Sequence, residues 1–195
     1  MSQPRFLVTA SPHLKGPATT PQIMWNVVGS LVPVVIAASW FFGIGALMVI
    51  LAATAGSVLT EWLLGQRGSL RDGSGMITGL LLGLTLPPGL PLWMSFLGGV
   101  VAIGFGKLIF GGLGQNIFNP ALLGRAFLQA AFPVAITTWP VQVRGFWNVQ
   151  PDNLALPFMG VGETDMVTGA TPLGLMKFEA VGTNVQDLLL GTIGG

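Results

Sequence analysis

Between Lys15 and Glu61 lie 45 consecutive residues without a formal charge, and another 34 separate Asp72 from Lys107. About 20 apolar helical residues span a hydrocarbon core, so each run has room for a pair of helices. The first helix is expected from Gln22 to about Phe42, kinked near Pro33, and the second from about Gly45 to Leu64. Phe41-Phe42-Gly43 is then the tight junction of a hairpin. Residues 1–21 form a polar arm, in which Thr19-Thr20-Pro21 reads as a cap followed by a proline in the first helical turn.

Beyond the hairpin the pattern is interrupted. Gly75 to Leu86 reads as a helix of only about 12 residues, roughly 18 Å long and short of a core of about 30 Å. It stops at Pro87-Pro88-Gly89-Leu90-Pro91, either as a half-helix inside the bilayer or as a short crossing completed by extended backbone. Broken backbone at that depth is tolerated only where protein or a cavity covers it. Gly75, Gly79 and Gly83 fall on one face, which favours close packing of a second helix, with a flat ligand as the alternative. A helix from about Leu92 to Phe110 leads into a second break at 111–120, and Ala121 to Phe132 is helical again.

The expected organisation is therefore an arm (1–21), a helical bundle (22–134) with breaks at 87–91 and 111–120, and a polar loop (135–183). Residues 184–195 start a further membrane element. Composition agrees: 51% of residues are hydrophobic and 8% charged, against about 25% charged in soluble domains. The fold class is an all-α integral membrane protein, a polytopic bundle with broken or half-spanning helices and a long polar extramembrane loop. The first apolar run is too long for a signal peptide and lacks a small-x-small cleavage site.

Arg5 and Lys15 precede the hairpin and Arg67 and Arg71 follow it, which places the N terminus in the cytoplasm and the polar loop on the outer side of the membrane. A net charge of +1 with scattered basic residues carries no nucleic-acid signature. Without cysteine the chain offers no thiolate nucleophile and no cysteine ligand for zinc or an iron–sulfur cluster. No metal-ligand spacing, P-loop or dinucleotide fingerprint is present, and His13 reads as a solvated arm residue. Any redox role needs an organic cofactor.

The polar loop contains Asp165-Met166-Val167-Thr168-Gly169-Ala170-Thr171. This resembles the D-x-x-[S/T]-G-A-[T/S] signature at which a dedicated transferase esterifies FMN through its phosphate, with the last threonine as acceptor. Ser74 to Pro88 and Gly114 to Phe127, with the Ser11-Pro12-His13 arm, resemble further blocks of the same family in the same order. That family is the RnfD family of Rnf electron-transport complexes, close to the NqrB family of sodium-translocating NADH:quinone reductases.

The resemblance implies a component of a bacterial inner-membrane ferredoxin:NAD-type oxidoreductase that couples electron flow to cation transport. It implies FMN covalently held on Thr171, with Asp165, Thr168, Gly169 and Ala170 forming the attachment site, and leaves room for a second, non-covalent flavin such as riboflavin. Implied partners are the other Rnf proteins (RnfA, RnfB, RnfC, RnfE and RnfG), membrane lipid and the flavin transferase. Family members continue past a Gly-Gly near this terminus, so the chain reads as the N-terminal half of a longer inverted-repeat fold.

Three residues of the bundle join the candidate site. Arg125, an ionisable residue in an apolar helix, suits a flavin phosphate, a flavin carbonyl or helix-end carbonyls at the 111–120 break. Asn116 and Asn119 suit capping of the Pro120 helix or flavin contact. The competing readings are a channel or transporter built on the broken helices, and a flavin-free scaffold protein.

Overall fold

The computed structural model describes residues 18–65, 69–139, 146–147, 149, 151–157 and 186, and among these every regular element is helical. In chain order they are α1 (Thr20–Leu64), a 3-10 turn (Ser69–Asp72), α2 (Ser74–Leu84), α3 (Leu92–Ile103), a π turn (Gly104–Leu108), α4 (Pro120–Ala131), α5 (Pro133–Thr137) and a 3-10 turn (Pro151–Leu154). The Asp165–Thr171 motif and His13 lie outside the described residues.

Among the described helices, α1 is the one long and apolar enough to cross a membrane. Pro21 lies in its first turn, where a missing N–H costs nothing. Thr19 stands at the cap position, yet its side chain makes no capping hydrogen bond. Inside α1 only Gly43 leaves helical geometry, at φ 78° and ψ −172°, a conformation that excludes side chains with a Cβ. Pro33 keeps helical dihedrals.

Gly43 divides α1 into limbs 20–42 and 44–64 that fold back on each other. The Trp25 indole N–H donates to the Arg71 carbonyl at 3.2 Å, and Gly73 packs on the same indole. Glu61, as far beyond Gly43 as Trp25 is before it, meets Gly75. Only a hairpin brings both limbs to the start of α2.

The second limb of α1 is the centre of the bundle. Along α2, Gly75 faces Glu61, Gly79 faces Thr54 and Gly83 faces Ile50, so the two helices run antiparallel with backbones in close approach. A methyl added at Gly83 would come within 2.6 Å of the Ile50 Cα. These glycines pack a helix, as small residues do where no hydrophobic effect drives association, and do not face a flat ligand. On the other side Gly99 of α3 meets Ala53 and Ser57, and Gly124 of α4 lies against Gly98 and Ala102 of α3. Val49, Ala53, Leu82, Leu90, Ala102, Leu128 and Ile136 fill the core. The outer face stays apolar, with Ile36 63%, Trp62 64% and Trp40 78% exposed.

Two expected helix ends move. α2 stops at Leu84 rather than reaching Leu86, and the helix expected to run to Phe110 is α-helical only to Ile103. Gly104 and Gly106 disfavour a continuous α-helix, and a methyl at Gly106 would come within 2.8 Å of the Pro120 Cα. The chain therefore widens into the π turn, with the Ile109 N–H reaching the Gly104 carbonyl at 3.2 Å and the Gly112 N–H the Lys107 carbonyl at 3.1 Å.

Candidate ligand groove and buried charge cluster

The π turn rotates Lys107 into the bundle, where it is 2% exposed. Inserted π turns recur where a helix must aim a particular side chain. The ammonium donates to Glu61 Oε1, to Ser74 Oγ and, at 3.3 Å, to Ser69 Oγ. Each serine passes the contact on: Ser69 donates to Glu61 Oε1, and Ser74 donates to Asp72 Oδ1 at 2.7 Å. The Ser74 backbone N–H also reaches Asp72 Oδ1 at 2.8 Å, and Asp72 Oδ2 lies 3.7 Å from the ammonium. One cation thus faces two carboxylates directly, and the two hydroxyls bridge between them. Glu61 is 2% exposed, and its Oε2 has no partner among the described residues.

Above this cluster the Gly111–Pro120 break folds over α1 and α2 to form a groove of about 360 Å³, within the range of small-molecule sites. Met24, Ile77, Leu81, Ile117 and Phe118 give it apolar walls. Ser74, Thr78, Lys107, Asn116 and Asn119 supply its polar groups. A second cavity of about 390 Å³ is lined by Leu64, Ser69, Asp72, Leu108, Gly111, Gly112 and Leu113, the last shared with the groove.

Asn119 is the N-cap of α4, its Oδ1 accepting from the Ala121 N–H at 3.0 Å. Asn116 Nδ2 donates to the Phe118 carbonyl at 3.0 Å and so shapes the break. Both also line the groove. Among the described residues the Asn116 carbonyl oxygen and the Asn119 amide N–H groups make no hydrogen bond.

Arg125 is elsewhere. Its guanidinium donates to the Thr85 carbonyl at the C-terminal end of α2, where a cation complements the helix dipole. Helix-end carbonyls are its partner, but at the 87–91 break rather than the 111–120 break. That break has a second cover which the sequence did not point to: Asn153, 1% exposed, donates to the Pro88 carbonyl at 2.9 Å and the Leu90 carbonyl at 3.2 Å. The Ile44 N–H, freed at the Gly43 turn, reaches the Phe146 carbonyl at 2.9 Å. The segment after α5 therefore supplies partners at both interrupted backbones.

Glu61 and Lys107 are the functional candidates missed in the sequence. Arg125 is nominated as an ionisable residue within an apolar helix, whereas Glu61 and Lys107 read only as the ends of apolar runs.

The model of the NQR2, RnfD, RnfE family matches residues 7–195. The chain belongs to that family. Among curated relatives of the family, the D component of the proton-translocating ferredoxin:NAD(+) oxidoreductase complex of Clostridium ljungdahlii is 39% identical over 194 residues, 97% of this chain and 52% of the relative. Its Na(+)-translocating counterpart in Acetobacterium woodii is 36% identical over 200 residues, 100% of this chain and 57% of the relative. The D component of the ion-translocating oxidoreductase complex of Escherichia coli O127:H6 is 34% identical over 208 residues, 94% of this chain and 58% of the relative. The chain spans about half the length of these curated relatives.

Proposed function

We propose that this chain serves as the RnfD-type membrane component of an ion-translocating ferredoxin:NAD oxidoreductase complex, with FMN esterified to Thr171. The observation that carries the reading is the Asp165–Thr171 acceptor sequence inside the span of the family match. Bound flavin supplies one- and two-electron chemistry that the chain's own side chains lack. Thr171 provides the hydroxyl that becomes the phosphodiester oxygen. Gly169 and Ala170 leave space beside it, and Asp165 and Thr168 present it to the transferase.

The groove beneath the 111–120 break fits a second, non-covalent flavin. Its apolar walls suit a flat ring system, and the free Asn116 carbonyl and Asn119 amide offer an acceptor and a donor to a ring edge that carries both. In this reading Lys107 fixes electrostatics at the groove floor, and Arg125 only holds the end of α2. The N terminus and the Lys107 end face the cytoplasm of a bacterial inner membrane, and the Thr171 loop faces outward. Partners are the other Rnf proteins, lipid and the transferase.

Denaturing electrophoresis of the complex, made in a host that supplies the transferase, tests the attachment. The band of this chain fluoresces in the wild type and is dark in Thr171→Ala. A dark wild-type band, from a host whose transferase flavinylates a control protein, favours a transporter or scaffold role.

A further inference from the structure

A third cavity, an apolar groove of about 420 Å³, runs along the second limb of α1. Ala55, Val58, Leu59 and Trp62 form one wall, at the i, i+3, i+4, i+7 spacing of a single helix face. Phe96 of α3 and Leu70 of the Ser69–Asp72 turn complete it. From Ala55 to Trp62 the groove follows α1 for about 10 Å, and the Trp62 indole N–H is the one polar side-chain group among its lining residues. Leu59, Trp62 and Leu70 are exposed, so the groove opens outward from the bundle.

Charge is confined to one end of it. Leu70 is followed by Arg71, which is exposed and forms no ion pair among the described residues. Asp72, the next residue, is turned inward to Ser74 and Lys107. Trp25 of the first limb donates its indole N–H to the Arg71 carbonyl, and Trp62, next to Glu61, stands at the same end of the hairpin. Two tryptophans thus bracket an arginine that has no counterion. Tryptophan collects at the headgroup level of a bilayer, and basic sites beside helices on the cytoplasmic side hold anionic headgroups.

We propose that this groove and Arg71 together bind one anionic phospholipid. An acyl chain lies against Ala55, Leu59 and Phe96, and the phosphate accepts hydrogen bonds from the Arg71 guanidinium, whose fork matches two phosphate oxygens. The Trp62 indole N–H donates to the phosphate or to an ester carbonyl. An apolar protein helix would match the groove but leave the arginine without an anion. A zwitterionic lipid would bring a second cation to the Arg71 end. The site rests on the membrane placement proposed above and is independent of flavin at Thr171.

Photolabelling of the intact complex tests it, in phosphatidylcholine vesicles doped with either phosphatidylglycerol or phosphatidylcholine that carries an acyl-chain diazirine. Adducts are mapped by mass spectrometry of peptides. Phosphatidylglycerol is expected to label the Ala55–Trp62 and Phe96 peptides several-fold more than phosphatidylcholine does, while both lipids label the rest of the chain's apolar surface alike. About 1 M NaCl, which screens charges beyond roughly 3 Å, reduces the preference in the wild type, where folding is not in question. Arg71→Gln abolishes it and Arg71→Lys keeps part of it. Equal labelling of the groove by the two lipids overturns the proposal, as does a preference undiminished by salt or by Arg71→Gln. A groove labelled by neither lipid, on a chain labelled elsewhere, is covered by protein and overturns it too. A chain with no label anywhere overturns the membrane placement itself, and the lipid site with it.

Discussion

Glu61 and Lys107 form an ion pair inside the bundle, the two side chains only 1% and 3% exposed. A charge so placed is held by its partner. Removing one member of a buried pair typically costs about 3–5 kcal/mol, whereas replacing both with neutral groups costs far less. Lys107→Met is therefore expected to lower the thermal stability of the protein sharply. Glu61→Gln/Lys107→Met is expected to recover most of the loss, and a double-mutant cycle on melting temperatures in detergent reads the coupling.

The glycine face of α2 gives a contrast within one protein. Gly79→Ala drives a methyl into the Thr54 backbone, while Gly29 has open space around it. Overpacking at the first site is expected to destabilise by roughly 1–3 kcal/mol. Gly29→Ala is expected to be neutral or stabilising by up to about 1 kcal/mol, since alanine is the better helix former. Thermal unfolding of both variants checks the sign of each.

Asn153 ties the segment after α5 to the 87–91 break. Asn153→Ala leaves the Pro88 and Leu90 carbonyls without their side-chain donor, and each unsatisfied buried group costs about 1–3 kcal/mol. Limited proteolysis is expected to cut the segment after α5 several-fold faster in this variant than in the wild type. An unchanged rate contradicts the latch.

Asn119 separates capping from ligand contact by a single atom. Asn119→Asp keeps the oxygen that accepts from Ala121 N–H and removes the amide donors of a residue that lines the groove. Non-covalent flavin extracted from the complex is expected to fall in this variant while covalent flavin is retained. Asn119→Ala additionally loses the cap, about 1 kcal/mol of helix stability.

Several of these features are readable from residue order. Gly43 marks the hairpin junction because it sits between two apolar stretches that are each long enough to span, and the Pro87–Pro91 cluster has to end α2. The α2 glycines at every fourth position announce a packed face. Gly104 and Gly106 mark a weak point of the helix in the sequence, but the π turn itself is not visible there, because Gly106 meets Pro120 in a contact between segments that the order of residues does not reveal. The Glu61–Lys107 pair is hidden for the same reason, each charge alone reading as the boundary of an apolar run. Arg125 is legible as a charge that needs a partner, helix-end carbonyls being one option beside a flavin phosphate or carbonyl, but that the 87–91 break supplies it depends on how α4 crosses α2.

The central claim rests on Thr171, and mass spectrometry of the peptide spanning Asp165 to Thr171 tests it most directly. For the protein isolated from the assembled complex, the account predicts that peptide at its own mass plus that of FMN less one water, with fragmentation placing the addition on Thr171. The unmodified peptide alone, from a host shown to supply an active transferase, would contradict it.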